Sequence, residues 1–468
     1  MIFNKKLVLL IIFCVYTGVA FAQNTKNYTA IYSGIPLLDN NGNTVSAHGA
    51  NIIKDKGTFY LFGEAHSDTS NVFVGFNCYS STDLYNWKFE SVALQQQTAG
   101  RLGLNRVGER PKVLRCPATG EYIMLMHTDT LTYKDPCVGY AISKNITGPY
   151  IFQGPILFDG QPIKKWDMGS FQDDDGTGYL LVHSGNIYRL SNDYKSIVEQ
   201  VVKNMESEGE SPAMFKKDGV YYWLASHRTS WERNDNFYYT AKSIYGPWES
   251  KGIFAPKNSL TWNSQTSFVL PIIGTKDTTY IFMGDRWSFP KQASAATYVW
   301  QPISFSDNSM SIPTLRQGWL IDTKTGLVSA SAGKESLAKA KNISFKGKWE
   351  SLSNGDHKIW TSDEKSASIS VSFKGTQIYI YGLCDEASGY ANVKLLNKKG
   401  DVLASSILDM YCKNPVTDLK YVSPVLNKDT YILEISVLGD HGNWSDKRRS
   451  NYGSKGNFVK LNNILVNN

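Results

Sequence analysis

The sequence predicts an all-β protein, in which a five-bladed β-propeller is followed by a C-terminal β-sandwich of the jelly-roll kind. Three observations support this fold class. One hairpin pattern recurs five times, segments with helical periodicity are nearly absent, and after Trp319 the composition changes to alternating strands with Gly and Asn turns. Repeats of about 40 to 60 residues, each with room for four short strands, are typical of propeller blades.

Each copy of the repeat opens with a polar residue, continues as an apolar strand and a turn, and ends in an aromatic-rich strand. The copies are HGANIIKDKGTFYLFGE, ERPKVLRCPATGEYIMLMH, DMGSFQDDDGTGYLLVHS, ESPAMFKKDGVYYWLASH and QTSFVLPIIGTKDTTYIFMGD. Their opening residues are His48, Glu109, Asp167, Glu210 and Gln265. Because the first strand of each blade lines the channel of a propeller, we expect these five side chains to line one pocket.

The third copy contains an acidic cluster, Asp173 to Asp175, whose initial spacing matches an EF-hand calcium loop. The twelfth loop position is Ser184, where a Glu is required, and the flanking segments alternate instead of showing helical periods. The cluster is therefore predicted to be the solvated turn of a β-hairpin. Of the acidic residues in this stretch, Asp167 is the candidate for chemistry.

The first 22 residues have the features of a secretory signal peptide: Lys5 and Lys6, the apolar run LVLLIIFCVY, and an A-x-A cleavage site that ends at Ala22. We therefore expect an exported protein, periplasmic or extracellular. No later segment approaches the ~20 apolar residues of a membrane span. The net charge of +7 is spread over 468 residues without a basic stripe, so nucleic acid is not an expected partner.

Five cysteines follow the predicted signal peptide. Cys384 and Cys412 lie in the same C-terminal region and could form a disulfide, whereas Cys78, Cys116 and Cys137 cannot all pair among themselves. No CxxC or His-rich spacing indicates zinc. We expect no required cofactor and predict no metal site, although a structural calcium ion would be compatible with the composition. The oligomeric state is left open.

Three carboxylates in equivalent first-strand positions would permit hydrolysis of glycosidic bonds. This reaction needs a protonated carboxylic acid at the leaving oxygen and a second group that activates or replaces water on the other face. A further carboxylate beside the acid raises its pKa by like-charge repulsion. Glu210, Asp167 and Glu109 supply these groups, and Glu208 is an alternative acid that we expect to be solvated.

The repeat and its motifs resemble glycoside hydrolase family 43. The resemblance rests on Asp167 before FQDDDG, on Glu210 in ESPAMF and on the GPY and GPW turns, and it extends to about residue 325. It implies an inverting hydrolase of plant polysaccharides. It also implies that Glu210 is the general acid and that Asp167 modulates the pKa of this acid and orients it.

The first copy departs from the family pattern, because it opens with AHGA and lacks the carboxylate that the family uses there as general base. Together with GERPKV, ESPAMF and NSQTSF, this stretch resembles the exo-β-1,3-galactanase branch. The resemblance implies that Glu109 and Gln265 occupy the site and that Gln265 handles the attacking water. Substrate contacts are predicted at His48, Glu64, Tyr133, Thr229 and Trp231, several of which could equally serve packing or loop structure.

The predicted function is therefore that of a secreted inverting hydrolase that releases galactose from β-1,3-galactan, such as the backbone of arabinogalactan. An α-L-arabinofuranosidase or β-xylosidase of the same fold is an alternative. A non-catalytic sugar-binding propeller is another, because the missing carboxylate favours it. In each case the expected partner is a plant polysaccharide.

Composition also predicts the domain boundaries. The propeller is predicted over residues 23–326, a Ser/Ala/Lys-rich linker over 327–342 and the sandwich over 343–468. The sandwich could bind carbohydrate or be purely structural. Its candidate sugar platforms, which are also candidate core residues, are Trp349, Trp360, Tyr390 and Trp444.

Overall fold

A computed structural model describes residues 27–206, 209–331, 337–354, 357–446 and 449–467. The described chain is all-β, as predicted, with one short α-helix at Leu260–Asn263 and one 3-10 turn at Gly100–Leu102. None of these helices has the length and apolar character that crossing a membrane requires. The predicted signal peptide and the alternative acid Glu208 lie outside the described residues.

Five sheets follow one another along the first part of the chain, and each contains the antiparallel hairpin of one repeat copy. Sheet 1 consists of His48–Asp55, Thr58–Glu64, Gly75–Ser81 and Lys88–Gln95. Sheet 2 consists of Arg106–Arg115, Tyr122–Thr130, Cys137–Ser143 and Ile151–Pro155. Sheet 3 consists of Leu157–Phe158, Gln161–Pro162, Met168–Gln172, Gly178–Val182, Asn186–Leu190 and Ile197–Val202. Sheet 4 consists of Gly209–Lys217, Val220–His227, Phe237–Ala241 and Glu249–Ile253, and sheet 5 of Gln265–Ile273, Thr278–Arg286 and Thr297–Pro302.

The first hairpin strand of each sheet, which in sheet 3 is Met168–Gln172, contacts that of the next sheet in chain order, and the first hairpin strand of sheet 5 contacts that of sheet 1. A separate apolar cluster lies between each pair of neighbouring sheets. The clusters join Phe62 to Met124, Leu125 to Leu180, Leu181 to Trp223, Leu224 to Phe282, and Ile281 to Ile52. Burial of these faces fixes how each sheet packs on the next, and it brings the opening residues of all five copies to the same end.

The acidic turn of the third copy connects two paired strands, as predicted. Its three carboxylates differ in environment. Asp174 is exposed, whereas Asp173 accepts hydrogen bonds from Lys216 Nζ at 2.7 Å and from Tyr221 Oη at 2.6 Å. The prediction of a wholly solvated turn is therefore wrong for Asp173, which ties sheet 3 to sheet 4.

The C-terminal part forms two larger sheets with one apolar cluster. The six-stranded sheet consists of Ala338–Lys339, Glu350–Asn354, His357–Ser362, Gln377–Cys384, Val416–Val422 and Val459–Asn467. The five-stranded sheet consists of Asn342–Lys346, Ser368–Gly375, Tyr390–Asn397, Val402–Asp409 and Asp429–Val437. The remaining strands are Ile31–Tyr32, Gly318–Ile321 and Val328–Ala330 in one small sheet, and the pairs Ser304–Ser306 with Ser309–Ser311 and Asn443–Ser445 with Asn451–Gly453.

The C-terminal sheets are attached to sheets 1 to 5 through buried polar contacts. Arg286 Nη1 lies 2.8 Å from Asp418 Oδ2, and the Tyr411 hydroxyl donates to Glu232 Oε2 at 2.6 Å. The N-terminal residue Leu38 belongs to the C-terminal apolar cluster. The segment predicted as a linker contains strand residues 328–330 and 338–339, which pair with neighbouring strands.

The structure decides two alternatives that the sequence left open in the C-terminal part. Cys384 and Cys412 are buried free thiols, so they do not form the disulfide that we considered. Tyr390 and Trp444 are 0% and 6% exposed, so they are packing residues and not sugar platforms. Trp360 is half-buried and lies 5.8 Å from the exposed ring of Phe345.

Candidate active site

The opening residues of four copies meet in one cavity of about 380 Å³ at the common end of the five sheets. These residues are Glu109, Asp167, Glu210 and Gln265. Three of the predicted substrate contacts, Glu64, Tyr133 and Trp231, also line the cavity. The other lining residues are Arg110, His127, Asp129, Pro136, Trp166, Arg228, Ser230, Trp287, Ser445 and Asp446.

A β-bulge directly after the opening residue shapes this end of sheets 1, 2 and 4. The residue that follows has a left-handed backbone, with φ of 59° at Gly49, 52° at Arg110 and 56° at Ser211. Successive side chains of a regular strand point to opposite faces, whereas a bulge re-aims one of them. Glu109 and Arg110 can therefore both line the cavity although they are adjacent in sequence.

Gly49 illustrates how tightly the bulges pack. A Cβ atom at this position would lie 2.2 Å from Glu64 Oε1, so a side chain would displace the carboxylate. Glu64 Oε1 instead accepts a hydrogen bond from the backbone N–H of Arg110 at 2.8 Å. Glu64 thus fixes the bulge of sheet 2 as well as lining the cavity.

Glu210 and Asp167 have opposite electrostatic environments. Burial and the negative charge of Asp167 raise the pKa of Glu210 well above its ordinary value. Burial also opposes ionisation of Asp167, but Arg110 Nε at 3.1 Å and the Ser211 hydroxyl at 2.7 Å lower its pKa. The site therefore pairs a carboxyl group whose pKa is raised with a carboxylate whose pKa is lowered, the combination that general acid catalysis uses.

Glu109 is held as a carboxylate by three donors. Its Oε1 accepts from Asn71 Nδ2 at 2.8 Å and from the Tyr133 hydroxyl at 2.6 Å, and its Oε2 lies 2.9 Å from His127 Nδ1. The other His127 nitrogen faces Asp129 at 3.4 Å. Burial opposes protonation of His127, but the contacts with Asp129 and Glu109 raise its pKa to about 9. His127 is therefore an imidazolium between two carboxylates. Burial opposes ionisation of Glu109, but the contact with His127 lowers the pKa of Glu109.

Glu109, His127 and Asp167 are also a group of possible metal ligands, because their donor atoms lie within 4.8 Å of one another. Both nitrogens of His127 already face carboxylates, and Asp167 is paired with Arg110. Since metal binding requires neutral imidazole, this arrangement fits an internal ion-pair network better than a metal site.

The amide of Gln265 has four polar partners. Its Oε1 accepts from Arg110 Nη2 at 2.6 Å and from Trp287 Nε1 at 2.8 Å. Its Nε2 donates to Glu210 Oε1 and to the Ser226 hydroxyl, each at 3.1 Å. Gln265 thus connects the candidate acid to the guanidinium that pairs with Asp167.

Two predicted substrate contacts do not line the cavity. His48 occupies its first-strand position but is 1% exposed, with Nδ1 3.1 Å from Asp285 and its ring stacked on Tyr298 at 4.4 Å. The expectation that all five opening residues share the pocket is therefore wrong for His48. The Thr229 hydroxyl donates to the Glu232 carbonyl at 2.7 Å and accepts from Asn234 at 2.7 Å, which fits the alternative that it serves loop structure.

Several lining residues were not predicted. Arg110 and His127 lie within quoted repeat copies, so the recurrence of the hairpin ends could have indicated them. Trp166 stacks on His183 at 3.5 Å and lies under the Arg228 guanidinium at 5.5 Å. Ser445 and Asp446 come from the C-terminal region, and no local signal in the sequence connects them with the site.

Comparisons with known proteins identify a family and similar structures. The model of the family described as glycosyl hydrolases family 43 matches residues 43–267. An exo-β-1,3-galactanase from Phanerochaete chrysosporium, solved with galactose, has a TM-score of 0.70 and 28% identity over 93% of this chain and 100% of its own. A substituted form of that enzyme, solved with β-1,3-galactotriose, has a TM-score of 0.71 and 28% identity over 94% and 100%.

A candidate exo-β-1,3-galactanase from Bifidobacterium bifidum s17 is 38% identical, with a TM-score of 0.56 over 60% of this chain and 95% of its own. A comparison with curated protein sequences found no match. The family model, the structural similarity and the arrangement of the carboxylates lead to the same conclusion. The chain belongs to glycoside hydrolase family 43 and resembles the exo-β-1,3-galactanase branch of that family.

Proposed function

We propose that this protein is an exo-acting, inverting hydrolase that releases galactose from β-1,3-galactan. The observation that carries the proposal is the pairing, in one cavity, of a Glu210 whose pKa is raised with an Asp167 that is held ionised. Glu210 would protonate the leaving glycosidic oxygen, and Asp167 would keep it protonated until then. Glu109 and Gln265 would complete the catalytic site.

The specificity part of the proposal is supported by the sugar-bound neighbours. The fungal structures contain galactose and β-1,3-galactotriose. The described site also keeps the feature that distinguishes the branch, because His48 and not a carboxylate occupies the first-strand position of sheet 1. Tyr133, Trp231 and Glu64 would contact the sugar from the cavity wall.

We further propose that residues 23–326 form a five-bladed propeller and residues 343–468 a sandwich, joined through 327–342. The closed order of contacts among the five first strands supports the propeller. The single apolar cluster of the C-terminal sheets supports the sandwich. The protein would act after export, with residues 1–22 as the signal peptide.

The test is digestion of a panel of β-1,3-galactan, arabinan and xylan by the full mature chain, followed in time by proton NMR. We expect single galactose units from β-1,3-galactan and little product from the other two polymers. The α-anomer should form first, because water attacks the face opposite the leaving group in an inverting enzyme. β-Galactose as the first product would contradict inversion, and faster turnover of arabinan would favour an arabinofuranosidase.

A further inference from the structure

The Arg110 guanidinium lies between the carboxylate and the amide of the candidate active site. Nε faces Asp167 Oδ2 at 3.1 Å, and Nη2 donates to Gln265 Oε1 and to the Ser211 hydroxyl, each at 2.6 Å. Nη1 donates to the Thr266 carbonyl at 3.3 Å. Arg110 is 4% exposed. Because the guanidinium is planar and rigid, these contacts fix Asp167 and Gln265 relative to each other.

The partners of Gln265 determine which way its amide points. Arg110 and the Trp287 indole are donors only, so the atom that they contact is the amide oxygen. The amide nitrogen must then face Glu210 Oε1 and the Ser226 hydroxyl, as the 3.1 Å distances indicate. Both N–H groups of Gln265 and both acceptor positions of its oxygen are thereby used.

We propose that Arg110 is a positioning residue, which together with Trp287 holds the Gln265 amide so that it donates a hydrogen bond to one oxygen of Glu210. The inference rests on the proposed function, in which Glu210 is the general acid. In a protonated carboxyl group the carbonyl oxygen is the better acceptor. Glu210 Oε1 is therefore the carbonyl oxygen, and Glu210 Oε2 carries the proton that goes to the leaving group.

This assignment changes the role of Gln265. To act as a base, its amide would have to take a proton from water at an oxygen that already accepts two hydrogen bonds. Alternatively, it would have to adopt a tautomer whose oxygen carries a proton toward the donors Arg110 and Trp287. Neither fits the observed contacts, so Gln265 serves the general acid and not the attacking water.

The substitution Gln265→Glu separates the two roles. A carboxylate keeps the acceptors for Arg110 and Trp287 but cannot donate to Glu210. We expect kcat on β-1,3-galactan to fall on the order of 10²-fold, as for loss of a preorganised donor. The alkaline limb of the kcat/KM profile should move to higher pH, because the added negative charge raises the pKa of the acid. If Gln265 were the base, Glu would be the stronger base, and an unchanged or higher kcat would overturn the proposal.

A second pair of variants tests Arg110 itself. Arg110→Lys keeps the charge beside Asp167 but not the planar fork, so we expect kcat to fall about tenfold or more, the lower range for a misplaced catalytic group, with KM nearly unchanged. Guanidinium ion added to Arg110→Ala should restore part of the activity. The matched control is Arg106→Lys, on the same strand, where Arg106 pairs with Asp135 at 3.0 Å outside the cavity; it should behave as wild type.

The possible failures are distinguishable. A wild-type chain that releases no galactose from β-1,3-galactan would contradict the proposed function, and the positioning role with it. An active wild type whose Arg110→Lys variant keeps the wild-type kcat and pH profile would overturn the positioning role alone. If Arg110→Lys lowers the thermal midpoint while kcat stays that of wild type, Arg110 is merely structural. Should that variant not fold, the Gln265→Glu result decides.

Discussion

Sheets 1 to 5 and the C-terminal pair of sheets differ in what they bury. The C-terminal pair encloses one apolar cluster, in which residues such as Val393 and Leu433 are 0% exposed. The five sheets instead bury apolar clusters between neighbours and charged groups where their first strands meet. Lys112, for example, is 0% exposed, donates to the Ala50 carbonyl at 3.1 Å, and has a pKa lowered by burial to about 7.

The difference indicates that the C-terminal pair contributes mainly to stability, whereas the five sheets carry the groups of the candidate active site. A buried charge is costly unless it is paired and hydrogen-bonded. The five sheets accept this cost at one end, where burial and Asp167 raise the pKa of Glu210 and where Arg110, against burial, lowers the pKa of Asp167. The C-terminal pair also buries the charged residues Asp409, Asp418 and Lys420. Of these, Asp409 and Asp418 form ion pairs with the other region, through Arg233 and Arg286.

The largest effect is expected from a substitution among the charged groups at the common end of the five sheets. Glu210→Gln removes the proton of the candidate acid, and we expect turnover of β-1,3-galactan to fall by at least ~10²-fold, the lower end for general acid–base catalysis. The fold should survive, because the substitution only replaces one carboxyl oxygen by an NH2 group. The measurement is kcat with circular dichroism as the control of folding. Near-normal activity would transfer the role of acid to another residue, with Glu208 the first to test.

A second substitution changes the charge beside the acid. Asp167→Asn removes the negative charge that raises the pKa of Glu210, so this pKa should fall. Because Glu210 acts only when protonated, the alkaline limb of the activity profile should move to lower pH, and activity at neutral pH should drop. The matched control is Asp173→Asn at the far end of the same hairpin. An alkaline limb that stays in place would show that Asp167 does not tune the acid.

A third substitution addresses the apolar core of the C-terminal pair. Leu433→Ala should lower the free energy of unfolding by about 2–5 kcal/mol, because it removes a buried side chain and leaves a cavity. The kcat measured well below the unfolding temperature should stay near that of wild type. Val402→Ala, at a site that is 54% exposed, should change the free energy of unfolding by only about 0.5 kcal/mol. A large loss of kcat in Leu433→Ala would show that the two regions are not divided in this way.

The smallest effect is expected from a substitution in the C-terminal region, which contributes residues to the cavity. Asp446 belongs to the C-terminal region but lines the cavity, so its carboxylate can accept hydrogen bonds from sugar hydroxyls. Asp446→Ala should raise KM for β-1,3-galactan by about 2- to 13-fold, the equivalent of one net hydrogen bond of 0.5–1.5 kcal/mol, and leave kcat unchanged. Asp401→Ala, on an exposed turn, is the control. An unaltered KM would show that Asp446 does not contribute to sugar binding.

The hairpins and most of the candidate site could be predicted because their signals are local. Alternation, turn residues and recurrence identify each copy, and the equivalent position in four copies places Glu109, Asp167, Glu210 and Gln265 in one cavity. His48 had the same signal but lies buried against Asp285 and Tyr298. Equivalence along the chain thus predicts which end of a sheet a residue occupies, but not whether its side chain reaches the cavity.

Arg110 shows why part of the site could not be predicted. In a regular strand its side chain would point away from that of Glu109, and only the bulge at this position turns both toward the cavity. Local strand periodicity carries no information on such a bulge. The contacts that orient Gln265 depend on this geometry, so the donor role of its amide also became visible only in the structure.

By itself, the sequence determined the all-β class, the five hairpins and the end of the sheets at which the carboxylates lie, because backbone pairing and side-chain alternation depend on neighbouring residues. The tertiary structure alone decided the opposite pKa shifts of Glu210 and Asp167, since burial and the charges that act on each of them come from different sheets. It also decided that the C-terminal region contributes Ser445 and Asp446 to the cavity. Both depend on distances between segments far apart in the chain, which only packing of the sheets defines.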